Sequence, residues 1–341
     1  MRQLTDHPSI NHPGYFLESS FTPDGAAIIF TSYRTGTPQL FRLSYPELEL
    51  SQLTSGGAIH PYSAAIRDSR VFFVRGGTVC ELRLDTGGER IIADFPGAQL
   101  GEVCPDWAGD WLVAAAKQGS TRGLVCGRVD GTGWHFIAFP RTVIHPQFHP
   151  LEPEWIEFSG DPAPRMYRVR RDGTGMECLY QHENDEFVVH ETFLGNTGGL
   201  VFTVWPRLIC RMDWTTRQIT TIANFNAWHI TPNRAGTKIL CDTNHPDTGI
   251  WLVDAATGTR DLVCEPQATC QGTQWKKSTY ALAADFAAAQ TGNLSWMETP
   301  VDTVYGPQWT HPHPAFSHDE KHITFTSDRT GHAQVYLAEL P

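Results

Sequence analysis

The chain alternates. Over residues 21–43, "FTPDGAAIIFTSYRTGTPQLFRL", apolar and polar positions trade places with a period of two, interrupted by an Asp-Gly turn and a Thr-Gly turn. That period belongs to β-strands, whose successive side chains face opposite sides of a sheet, and such short turns make neighbouring strands antiparallel. The design returns at 316–340, "FSHDEKHITFTSDRTGHAQVYLAEL", with an aromatic residue, a polar turn, a strand ending Phe-Thr-Ser, a Thr-Gly turn and a second strand.

Weaker copies fill the interval at about the spacing of propeller blades, roughly 40–50 residues. They include "IHPYSAAIRDSRVFFV" (59–74), "CPDWAGDWLVAAA" (104–116), "IHPQFHPLEPEWIEFSG" (144–160), "VVHETFLGNTGGLVFTV" (188–204) and "WHITPNRAGTKILCD" (228–242). With the first and last copies they make seven. One four-stranded blade cannot bury both of its faces, whereas blades stacked radially can. The expected fold is therefore all-β: a seven-bladed β-propeller forming one domain over residues 1–341. Its closure is also written in the chain. The first blade ends in an outer strand carrying Gln52-Leu53-Thr54, the chain opens with Gln3-Leu4-Thr5, and the last blade stops at its third strand. Residues 2–5 are expected to supply the missing strand. One segment, 275–306, is too long for a blade connection, and its Ala-rich middle favours helix.

Charge and composition narrow the partners. A formal net charge of −11 with no basic run argues against nucleic acid. "MRQLTDHPSINHPG" lacks the apolar core of a signal peptide and no run reaches membrane-spanning length, so a cytoplasmic protein with no membrane partner is expected. The eight cysteines are dispersed with no C-x-x-C, as core thiols are.

The histidines carry the candidate chemistry. His60, His145, His190, His229, His311 and His313 all fall at the start of an inner strand, just before the turn of their blade. In a propeller these starts converge on one mouth of the central channel. His311 and His313, at i and i+2 of a strand, would point the same way, with Gln308 in the loop leading in and His229 on the preceding inner strand. Such a set is either polar channel lining or a site for one divalent cation. Imidazoles suit Zn, Ni, Cu or Fe, and an amide oxygen with water-filled positions admits Mn. His60 and His145, in His-Pro steps, read as lining.

"QWTHPHPAFSHDEKHITFTSD" closely resembles the C-terminal blade of oligogalacturonate lyases, seven-bladed propellers that cleave uronic-acid oligosaccharides by β-elimination. The Q-x-x-H-x-H pattern followed by H-P-x-F carries the resemblance, since TolB-like propellers share the hairpin alone. "VVHETF", "AWHITPNRAG" and "PRMYRV" resemble further strands of that family. The resemblance implies that Gln308, His311, His313 and His229 hold one divalent metal, manganese first, with zinc, nickel or cobalt as alternatives. It implies His190 as the base that takes the C5 proton and Arg165 as an aid at the substrate carboxylate, with Tyr15 and His145 also binding the small anionic oligosaccharide. Two stretches depart from the family: His12-Pro13-Gly14-Tyr15 stands for His-Arg-Asn-Tyr, and "EFSGDP" lacks a histidine found there. The competing expectation is a non-catalytic TolB-like propeller that binds a protein or peptide. Oligomeric state is not legible.

Overall fold

The computed structural model describes residues 1–183, 185–271 and 305–340. Seven four-stranded antiparallel sheets follow one another along the chain and make a seven-bladed propeller. The second blade is typical: Ala65–Arg67, Arg70–Arg75, Thr78–Arg83 and Glu89–Asp94, each strand paired with the next. The seventh blade is composite. Its inner three strands are Ala315–Phe316, His322–Ser327 and Gln334–Glu339, and its fourth is Arg2–Gln3 from the other end of the chain. Arg2 lies opposite Leu337 and Gln3 opposite Tyr336, as the repeated Gln-Leu-Thr tripeptide foretells.

Alternation decides where the core sits. Both faces of each blade are apolar, and the buried side chains gather between blades rather than in a single centre. Between the fifth and sixth blades, for example, Val201 and Ile209 meet Ile230, Ile239 and Val253. The joint between last and first blades is built the same way, from Leu4, Phe30, Phe41, Val335 and Leu337. The eight cysteines are free thiols, buried or half-buried. Almost all of the 275–306 insertion lies outside the described residues, including its expected helix.

The channel has a plug. Between Asn11–Pro13 and Ala27–Ser32 the first blade makes a long excursion that buries Tyr15 and Phe16 against Tyr62. Gly14 N donates to Ser20 Oγ (2.8 Å), and Thr231 Oγ1 from the sixth blade donates to the Phe16 carbonyl (3.0 Å). Beyond the plug the channel continues as a cavity of about 380 Å³, lined by Glu102, Gln147, Thr192 and Thr231 among others.

Because the ring closes on one apolar side chain and a two-residue strand, Leu4→Ala is expected to destabilise the whole propeller by about 2–4 kcal/mol. Chemical denaturation monitored by tryptophan fluorescence checks this; a change under about 0.5 kcal/mol would place closure elsewhere.

Candidate active site

Inner strands of the fourth and fifth blades, Thr142–Phe148 and Val188–Phe193, each carry one extra residue relative to their partner strand. Pairing slips between Ile144 and Gln147 in one and between Val189 and Thr192 in the other. His145 and His190 occupy these bulges with φ of 55° and 58°, a left-handed conformation uncommon for a side chain other than Gly, Asn or Asp. A bulge re-aims a side chain out of the pleat, here toward the channel axis. The third blade has the same slip between Leu100 and Val103, but Gly101 stands at the equivalent position and contributes no side chain.

His311 and His313 arrive differently from the expectation. They are not on a strand: Gln308–Thr310 forms a single 3-10 turn, and the strand begins only at Ala315. His311 is extended, whereas His313 has φ of 46°. Strand periodicity therefore does not align the pair; the turn and the left-handed residue do. The outcome is still convergence. Ring centroids of His229 and His313 are 3.9 Å apart, His229 and His311 5.7 Å, and His311 and His313 5.9 Å, while Gln308 Oε1 lies 3.1 Å from His313 Nε2. His190 packs 4.5 Å from His229, and His145 5.9 Å from His190. Tyr15 completes the floor, its hydroxyl 2.9 Å from His145 Nε2. His60 is buried and makes no ring contact with this group among the described residues.

Each imidazole is neutral at ordinary pH. Burial first of all pulls His190, His229 and His313 well below the usual value of 6.5, and it brings His311 to about 4 and His145 to about 3. Nearby histidines add to the depression at His190, as does Arg165. Among the described residues neither ring nitrogen of His190 is hydrogen-bonded, and its Nδ1 is buried, so Nε2 is the nitrogen that can meet a ligand.

Could a metal fit? Asp242 Oδ2 accepts from His229 Nδ1 at 2.8 Å, and the Asn244 amide oxygen accepts from His311 Nδ1 at 3.1 Å. His229 thus presents Nε2, and partners of this kind orient metal-bound histidines; His311 would offer Nε2 only on leaving its present bond. His313 Nδ1 is buried with no partner. Three neutral imidazoles and one amide oxygen suit a borderline divalent ion. The donor atoms are not drawn together as ligands, however: His311 Nε2 rests on the Tyr305 carbonyl (2.9 Å), and among the described residues no three His, Cys, Asp or Glu stand ready-made around one point. The residues fit in kind; their present rotamers belong to a hydrogen-bonded cluster.

Arg165 is nearby but engaged. Its Nε and Nη2 donate to the two oxygens of Glu191 (2.9 and 3.2 Å), and Nη1 donates to Asp161. The guanidinium is buried, and these carboxylates occupy the fork that a substrate carboxylate would need. Burial alone would raise the Glu191 carboxyl, but Arg165 holds it down at about 2.

Residues 143–341 match the oligogalacturonate lyase family, from the fourth blade to the end of the chain. The chain belongs to that family. By that membership it is a polysaccharide lyase. An oligogalacturonate lyase of Dickeya dadantii (strain 3937) is 24% identical, the match covering 99% of this chain and 92% of that one. A solved oligogalacturonate lyase in complex with manganese superposes with a TM-score of 0.81 at 20% identity, over 99% of this chain and 92% of that one. Another from Vibrio parahaemolyticus gives 0.79 at 19%, over 99% and 93%.

Sequence reading missed the residues that hold the histidines in place. Asp242 follows Cys241, which pairs with Ile230, so it stands across the hairpin from His229; counting the register outward would have found it. Glu191 was in view as the neighbour of His190, but a plain strand would send the two side chains to opposite faces. Phe16, which touches His145, His190 and His229, gave no signal beyond being apolar.

The Arg165 ion pair has a pH signature. Glu191, held at about 2 in place of 4.5, contributes stability that is full above 4.5 and is lost as pH falls toward 2. Glu191→Gln is expected to lower stability by about 3–5 kcal/mol near neutrality, with the gap to wild type closing in acid. Urea titrations across that range measure it, and a gap independent of pH would refute the assignment.

Proposed function

We propose that this protein cleaves short uronic-acid oligosaccharides, oligogalacturonate or a close relative, by β-elimination. The observation that carries the reading is a neutral His190, without a hydrogen bond among the described residues, packed against His229 of a His/Gln donor set. A base needs an unprotonated nitrogen open to the substrate, and His190 Nε2 is that atom. The proton to be removed sits on C5, beside the uronate carboxyl, and is only weakly acidic. An ion held by His229, Gln308, His311 and His313, manganese first because a similar enzyme carries it, would draw charge from that carboxylate and so acidify C5–H.

The chain's own groups do the rest. Asp242 fixes the tautomer of His229 through its far nitrogen, and Asn244 holds His311 Nδ1. Arg165 acts through its field rather than as a free fork: burial first keeps His190 neutral, and the buried guanidinium adds to it by disfavouring a second positive charge. Tyr15 and His145 line the side of the site where the sugar ring would lie. A substrate of negative charge approaching a chain of net −11 needs such local positive charge.

Purified protein supplied with manganese and di- or trigalacturonate is expected to raise ultraviolet absorbance as unsaturated uronate forms, and a chelator to stop it. No absorbance change across a panel of uronides would overturn the reading in favour of a non-catalytic binding propeller. Metal analysis should find about one ion per chain, lost in His311→Ala and bound roughly 10–100-fold more weakly in Asp242→Asn. His190→Ala is expected to abolish turnover with metal binding intact.

A further inference from the structure

β-Elimination moves a proton twice. One leaves C5, and one must reach the departing O4, or a poor alkoxide would have to leave unaided. We propose that Tyr15 is the general acid that protonates O4 and that His145 is the residue that positions it; the assignment rests on the uronide-lyase reading above.

Three observations point this way. Tyr15 does not belong to a strand. The excursion of the first blade carries it into the channel, where its ring lies 5.1 Å from His313 and 6.3 Å from His229. The phenol therefore borders the donor set where the uronate carboxylate would sit, while His190 approaches the same set from the fifth blade. Second, the hydroxyl is 2.9 Å from His145 Nε2, and His145 is the ring next to His190. The acid and the base are thus linked through one ring, His145, which touches both. Third, His145 Nδ1 is buried with no partner among the described residues, so Nε2 is the nitrogen through which this ring acts, and with its proton there it donates to the Tyr15 oxygen. The phenolic O–H is then released to turn toward a ligand, and a phenolate forming there keeps a donor.

The step balances within the protein. The C5–H bond breaks and its proton goes to His190 Nε2. The bonding pair becomes the C4=C5 double bond, the C4–O4 bond breaks with its pair on O4, and O4 takes the Tyr15 proton. An imidazolium and a phenolate remain, and the proton passes from His190 to Tyr15 through water once product leaves. No oxidant, reductant or further reactant is needed.

Tyr15→Phe preserves the ring that packs on Phe16 and Tyr62 and removes only the hydroxyl. Against digalacturonate it is expected to lower kcat by about 100- to 1,000-fold, with KM changed by less than about three-fold. Against a galacturonide carrying fluoride or 4-nitrophenoxide at C4, leaving groups that need no proton, the same variant should stay within about ten-fold of wild type. His190→Ala should be inactive on both. His145→Gln, whose amide can still donate to the phenol, should retain more activity on digalacturonate than His145→Leu, and these two carry the test if Tyr15→Phe does not fold. Equal losses on both substrates, or no loss on digalacturonate, would overturn the assignment. A wild-type enzyme inactive on every uronide would instead refute the lyase reading and take this one with it.

Discussion

A propeller has no core of its own until its ring is shut, and here the shutting is done by the pairing of Arg2 and Gln3 with the strand Gln334–Glu339. Every apolar cluster of the blades lies between neighbours, so each blade depends on the next, and the joint of Leu4, Phe30, Phe41 and Val335 is the one that brings the two ends of the ring together. Closure also fixes how many inner strands share the axis and how far apart their first residues stand. The imidazoles meet because the ring brings their strand starts to one rim, although they come from segments up to 168 residues apart, from His145 to His313.

Within that rim the aim of each side chain comes from irregular backbone. His145, His190 and His313 all have positive φ, and two of them sit where a strand takes one residue more than its partner. Such positions are unfavourable for a histidine taken alone, typically by about 1–3 kcal/mol, and persist where the surrounding structure enforces them. The ladder on either side of each bulge does so. The third blade keeps the bulge but places Gly101 at it, so the histidine side chains of the rim come from the fourth to seventh blades.

Electrostatics divide the site in two. Around the channel the rings are neutral because burial leaves no solvent to support charge. Behind them Arg165 is charged because Glu191 and Asp161 hold it, and Glu157, buried close by with no partner, is pushed well above the ordinary carboxylate value by burial and by Glu191. The same guanidinium that depresses Glu191 also depresses His190. A base that must be unprotonated thus sits near a fixed positive charge whose own partners are Glu191 and Asp161.

By itself the sequence determined the strands, the seven-fold count, the closing strand and the set of histidines, because period-two alternation, repeat length and the echoed Gln-Leu-Thr are local properties of the chain. It also marked Gln308, Tyr15 and Arg165 as candidates. Only the tertiary structure decided how they are used. A bulge marks a strand only by a one-residue slip in a short alternating run and re-aims the residues within it, so the aim of His145 and His190 was not legible. Nor was the turn at Gln308–Thr310, which replaced the expected strand beneath His311 and His313. Asp242 on His229, and Glu191 with Asp161 on Arg165, are contacts across strands, fixed by register rather than by composition. That is why a candidate substrate fork became a buried ion pair, and why the aromatic residue Tyr15 came to stand beside the histidines only when the ring had closed around it.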